Sequence, residues 1–81
     1  MSIQIKYFAS LRDELGRAGD ELVVDAGDAG ALTVAEAWQR LWPDTPLPDN
    51  TLVAINQEYG EREQRLRDGD EVAFFPPVTG G

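Results

Sequence analysis

The stretch Asp68-Gly69-Asp70-Glu71-Val72-Ala73-Phe74-Phe75-Pro76-Pro77 decides how this chain is read. Asp68-Gly69-Asp70 is a tight-turn sequence, and it feeds a strand over Glu71 to Phe75 in which Val72 and Phe74 share one face and Ala73 and Phe75 the other. Pro76-Pro77 ends that strand, because neither residue has a backbone donor for the ladder. At the opposite end of the chain, residues 3–8 alternate again. Ile3, Ile5 and Tyr7 point one way and Gln4, Lys6 and Phe8 the other, the period of two that marks a strand. Phe8 is the large hydrophobe on the otherwise polar face.

Between the two strands lies an amphipathic helix. Thr33-Val34-Ala35-Glu36 is a capping-box sequence, and Val34, Ala37, Trp38 and Leu41 recur along one helical face. Pro43 sits where such a helix must stop, and Pro46 and Pro48 keep the following stretch irregular. Ser10 is placed to cap a short helix over Leu11 to Leu15, with Gly16 as its stop. A strand over Glu21 to Asp25 follows an Ala18-Gly19-Asp20 turn, and Ala26 to Ala31 reads as a loop. Leu52 to Asn56 is an apolar strand. Gln57 to Arg67 is charged, with Gly60 as a turn and Leu66 as an isolated anchor. Trp38 and Trp42 read as core or core-edge packing.

A few strands and one main helix, with a strand at each end, fit a mixed sheet wrapped over the helix, an α+β domain of the β-grasp kind. In that arrangement the first and last strands run parallel in the centre. Phe8 and Phe75 then meet at one end of the sheet, on its outer face. Residues 1–77 form the domain and residues 78–81 a flexible Gly-Gly tail.

Composition narrows the function. The chain has 81 residues, 15 Asp and Glu against 7 Lys and Arg, and neither His nor Cys. Without these two residue types, disulfides, thiolate metal sites, haem, iron–sulfur clusters and His-based acid–base catalysis are excluded. A net charge of −8 opposes sequence-independent nucleic-acid binding. Met1 to Lys6 lacks the basic start and apolar run of a signal peptide, and no apolar stretch approaches the ~20 residues that span a bilayer. The expectation is a cytoplasmic protein that works through protein partners, with no nucleic acid and no membrane. Adjacent carboxylates such as Asp13-Glu14 and Asp70-Glu71 point apart and solvate the surface.

The tail carries the chemistry. Val78-Thr79-Gly80-Gly81 can extend to at most about 14 Å, enough to thread a terminus into a buried active site while the domain stays outside. Two glycines suit a narrow tunnel because they lack Cβ atoms. A terminal carboxylate becomes an electrophile once ATP converts it to an acyl-adenylate. Phe8 and Phe75 near the exit of the tail suit an interface, where aromatic residues are enriched.

The run Asp68 to Gly81, the opening Ile5-Lys6-Tyr7-Phe8-Ala9 with Leu11-Arg12 and Leu15-Gly16, and the strand Val53-Ala54-Ile55-Asn56-Gln57 together resemble the MoaD family, the small subunits of molybdopterin synthase. The stretch Glu58 to Arg67 departs from that family's pattern in its charge and in Gly60, where an apolar residue is common. The resemblance implies a ubiquitin-like β-grasp fold and a non-catalytic sulfur-carrier subunit with no bound cofactor. It implies that an adenylating enzyme related to ubiquitin-activating enzymes (MoeB-like) uses ATP to activate Gly81, next to Gly80, and that a persulfide donor leaves a thiocarboxylate there. It also implies docking on a MoaE-like large subunit and sulfur transfer to cyclic pyranopterin monophosphate. By the same resemblance, Phe8, Arg12, Tyr59 and Phe75 contact partners, and Pro76, Pro77, Val78 and Thr79 lead the tail in. Rival readings are a ThiS-like carrier for thiamine thiazole, a carrier for cysteine or tRNA thiolation, a ubiquitin-like modifier forming isopeptides, and a β-grasp module with an inert tail.

Overall fold

A computed structural model describes residues 1–25, 27 and 31–77. The elements run β1 (Ser2–Tyr7), α1 (Ala9–Leu15), β2 (Gly19–Val23), α2 (Val34–Leu41), β3 (Leu52–Ile55), β4 (Glu58–Gly60) and β5 (Glu71–Phe75). The five strands form one sheet in the order β2-β1-β5-β3-β4. β1 and β5 pair parallel, from Gln4 opposite Glu71 to Tyr7 opposite Phe74, and the remaining pairs are antiparallel. This is the mixed β-grasp sheet expected from the alternation at the two ends of the sequence.

The core lies between the inner face of the sheet and α2. Ile3, Ile5 and Tyr7 from β1, and Val72 and Phe74 from β5, meet Val34, Ala37 and Trp38 of the helix, all at 2% exposure or less. Fully burying a side chain of this size contributes about 1.5–3 kcal/mol, so this cluster supplies the main driving force for folding. Tyr7 packs edge-on against Trp38 at 6.1 Å, and Trp38 edge-on against Phe74 at 5.0 Å between ring centroids. Leu66 is fully buried, the anchor expected of it, and its backbone donates to the carbonyl of Leu32.

The capping box forms as its sequence predicts. Thr33 Oγ1 accepts from the Glu36 backbone N–H at 3.2 Å, and the Glu36 carboxylate accepts from the Thr33 backbone N–H at 3.4 Å. The helix stops at Leu41, ahead of Pro43, with Trp42 as its C-cap.

Four local expectations are corrected. Ser10 does not cap α1; Phe8 occupies that position with no side-chain cap, and Ser10 lies inside the helix. The chain turns there because Ala9 adopts a left-handed φ of 53°, while Gly16 ends the helix at φ 78° as expected. Ala18-Gly19-Asp20 is not a turn, since β2 begins at Gly19. A Cβ at Gly19 would lie 2.5 Å from the Ile5 carbonyl oxygen, so this glycine serves a close approach of two strands.

Gly60 is likewise a strand residue, where a Cβ would press on Gln64 Oε1 at 2.8 Å and Ile55 Cδ1 at 2.9 Å. The turn is instead made by Asn56 and Gln57, at φ 52° and 71°, which matches the two-residue hairpin that suits strand twist. It follows that Asn56 is not part of the preceding strand, which ends at Ile55. Of the expected loop over Ala26 to Ala31, residues 26 and 28–30 lie outside the described residues. No helix among the described residues is long and apolar enough to cross a membrane.

Candidate partner-docking site at the end of the sheet

The parity that buries Ile3, Ile5 and Tyr7 turns Phe8 to the opposite face, and the parity of Val72 and Phe74 does the same to Phe75. Because β1 and β5 are parallel neighbours, the two aromatics finish at the same end. Their rings stack at 4.7 Å between centroids with 10° between planes. Such a pair contributes about 0.5–1.5 kcal/mol beyond its area burial. Phe8 is held there by its backbone: its N–H donates to the Phe74 carbonyl at 3.1 Å, and its carbonyl accepts from Arg12 N–H at 3.4 Å.

Tyr59 stands across from this stack. It pairs with Ala54 on β3 and is 83% exposed, a large ring with no cover of its own. Phe8, Phe75 and Tyr59 border one concavity of about 400 Å³, whose floor is Ala54 and Ala73, whose far rim is Lys6 with Glu71, and which Gln57 of the β3–β4 turn also lines. Lys6 Nζ lies 3.5 Å from a Glu71 carboxylate oxygen, both partly exposed, so the pair shapes the rim and adds little stability.

Arg12 does not line this concavity. It projects from α1 on the other side of Phe8, beside a shallower depression bounded by Lys6, Tyr7, Gly19 and Glu21. Pro76 and Pro77 are elsewhere again. They leave β5 along a groove between α1, at Ser10, Leu11 and Glu14, and the loop carrying Pro48, Asn50 and Thr51. The structure therefore gathers Phe8, Tyr59 and Phe75, places Arg12 next to them, and sends the proline pair past α1. Val78, Thr79, Gly80 and Gly81 lie outside the described residues.

Sequence reasoning missed Leu52. It pairs directly with Phe75 and is 36% exposed, extending the apolar strip across β3. The signal was present, since buried Val53 and Ile55 force Leu52 and Ala54 onto the outer face. Lys6 and Ala73 were assigned to the outer face but not to the site.

Behind β1, on the inner side, a polar network fixes the frame. Trp42 Nε1–H donates to Tyr7 Oη at 2.8 Å, the Tyr7 hydroxyl donates to Asp20 Oδ2 at 2.8 Å, and Arg17 Nε donates to the same oxygen at 2.7 Å. Arg17 also lies over the Trp42 ring, 4.2 Å from its centroid. Burial pushes the Tyr7 hydroxyl up to about 12; the Trp42 hydrogen bond pulls against this, and neighbouring Asp20 reinforces it.

Comparison with known proteins agrees with this architecture. The molybdopterin synthase sulfur carrier subunit of Escherichia coli (strain K12) is 39% identical over 80 residues, covering 98% of this chain and 99% of the relative. The protein of the same description from Haemophilus influenzae is 36% identical over 81 residues, with the same coverage. SAMP1 from Haloferax volcanii matches with a TM-score of 0.78 and 33% identity, covering 100% of both chains. The family model described as the ThiS family matches residues 5–81, nearly the whole length, and this chain therefore belongs to the ThiS family.

Proposed function

We propose that this chain is the sulfur-carrier small subunit of a molybdopterin synthase. The observation that carries the reading is its likeness, over 98% of its length, to curated molybdopterin synthase sulfur carrier subunits. The family match alone does not choose among sulfur-carrier pathways; these full-length relatives do. The geometry supports it, because an exposed aromatic cluster lies at the end of the sheet where the strand leading to the Gly-Gly terminus leaves the domain.

In this mechanism an adenylating enzyme joins the Gly81 carboxylate to AMP at the expense of ATP, with release of pyrophosphate. The terminal sulfur of a persulfide donor displaces AMP to give an acyl disulfide, and a thiol of the donor system then cleaves the S–S bond, forming its own disulfide and leaving the thiocarboxylate. The carrier then docks through Phe8, Tyr59 and Phe75 on the large synthase subunit, and the tail delivers sulfur to the pyranopterin precursor. The carrier's own side chains take no covalent part, in keeping with a sequence that holds neither Cys nor His. The aromatic anchors supply affinity, and the acidic surface raises the rate of encounter with a basic partner.

Intact mass after incubation with the adenylating enzyme, ATP and a sulfide source tests this. The expected result is replacement of one oxygen by sulfur, absent when Gly81 is deleted, and sulfur transfer once the large subunit and precursor are added. Transfer retained by the Gly81 deletion overturns the mechanism.

A second reading, a protein modifier, has the likeness to SAMP1 in its favour. It predicts an isopeptide between Gly81 and a lysine of another protein, which the same mass measurement on target mixtures distinguishes.

A further inference from the structure

One row of residues crosses the outer face of the sheet in register: Lys6 opposite Ala73, Ala73 opposite Ala54, and Ala54 opposite Tyr59. Two directly opposed alanines at the middle of this row are unusual. Alanine is depleted in strands, and cross-strand contacts between larger side chains are the ordinary source of sheet stability. Here that source is given up on β5 and β3. Although they face outward, Ala54 and Ala73 are only 8% and 7% exposed, because taller neighbours shade them. Phe8 and Phe75 wall one side, Tyr59 stands at the β4 end and Lys6 at the β1 end, so the alanines are the floor of a socket.

We infer that this socket receives one large apolar side chain projecting from the large synthase subunit, and that Ala54 and Ala73 set its depth and so the choice of partner. The inference rests on the proposed function and deepens it. An apolar occupant follows from the lining. The floor is methyl groups and two sides are aromatic rings, with Gln57 of the β3–β4 turn as the one uncharged polar side chain in the lining, and the floor's backbone groups are engaged in the β3–β5 ladder. At the rim Lys6 and Glu71 already satisfy each other, so the socket holds no lone charge that calls for a counter-ion. A volume of about 400 Å³ falls at the lower end of the roughly 300–1,000 Å³ in which clefts hold ligands.

Two other occupants fit less well. The chain's own C-terminal end is the first, but the described residues that lead to it, Pro76 and Pro77, lie in the groove beside α1 and not in the socket. A second copy brings a second chain of net charge −8, and the summed like charge opposes association.

The test fills the socket without touching the core. Ala54→Ile and Ala73→Ile put a strong strand former at each position, and melting temperature checks the fold. Ala73→Val carries the test should isoleucine lower it. Binding to the cognate large subunit is measured by calorimetry, with wild-type sulfur transfer assayed in parallel.

The expected result is a weakening of at least about tenfold, or about 1.4 kcal/mol, in each filled variant. Val23→Ile, which adds the same kind of bulk on exposed β2 outside the socket, is expected to bind close to wild type. Filled variants that bind like wild type overturn the socket while leaving the sulfur-carrier reading intact. A Val23→Ile variant as weak as the filled ones also overturns it, since filling the socket is then not the cause. A wild-type dimer dispersed by Ala73→Ile gives the socket to a second copy and overturns the inference. A wild-type chain that neither binds the large subunit nor transfers sulfur overturns the proposed function, and the socket with it.

Discussion

Phe8 and Phe75, 67 positions apart in sequence, stack ring on ring on the outer face because the parallel pairing of β1 and β5 brings both strand ends to one place. The stack is exposed enough to serve as an anchor and rigid enough to cost little ordering on docking. Phe75→Ala is expected to weaken binding to the large subunit by about 2 kcal/mol, close to thirtyfold. A double-mutant cycle with Phe8→Ala should return about 0.5–1.5 kcal/mol of coupling. An unchanged dissociation constant would mean that the stack is surface packing only.

Tyr7 makes stability depend on alkaline pH in a way that one substitution isolates. An ordinary tyrosine ionises near 10, and here the folded protein holds the proton to about 12. The folded pKa is the higher one. The contribution is therefore complete below about pH 10 and is lost as pH rises from there toward 12, on the order of 2 kcal/mol in all. Denaturant titrations across that window should show the fall in wild type and a flatter profile in Tyr7→Phe. The same variant leaves Trp42 Nε1–H and Asp20 without their shared partner, so at neutral pH it should be less stable by about 1–3 kcal/mol.

Gly19→Ala should be strongly destabilising for its size. The added Cβ meets a backbone carbonyl at 2.5 Å, which cannot rotate aside, so β1 and β2 must separate locally. A loss of about 1–3 kcal/mol is expected by chemical denaturation. A melting temperature equal to wild type would show that the strands part freely.

Thr33→Ala removes one half of the capping box at the start of α2. It should cost about 1 kcal/mol of stability. Affinity for the large subunit should not change, because α2 packs on the inner face of the sheet. Calorimetry of folding and of binding separates the two.

What could be read in the sequence was whatever local pattern and global topology both required. The alternation of Ile3, Ile5 and Tyr7, the capping box at Thr33 and the proline stop after Phe75 each have one physical meaning, and together they fix the parallel central pair and hence the meeting of Phe8 with Phe75. The hairpin before Tyr59 was illegible because Asn56 and Gln57 take left-handed angles with no glycine between them. Gly60 drew the turn toward itself, though its missing side chain serves contact with Gln64 and Ile55. Gly19 misled in the same way. Arg12, carried over from the family, sits beside the concavity and not in it, since a helix residue's direction depends on how the helix docks. The socket was invisible until register placed Ala54 opposite Ala73; two alanines 19 positions apart carry no signal of their own.

The central place of β5 also bears on how the protein is made. Until residues 71–75 emerge from the ribosome, β1 has no parallel neighbour and β3 has nothing to join it to the rest of the sheet. A nascent chain cut short before Phe75 is left as two separate hairpin fragments with their apolar faces bare. A chain cut short after Phe75 keeps every strand of the sheet, so under the proposed mechanism it would retain the docking face while lacking the acyl group.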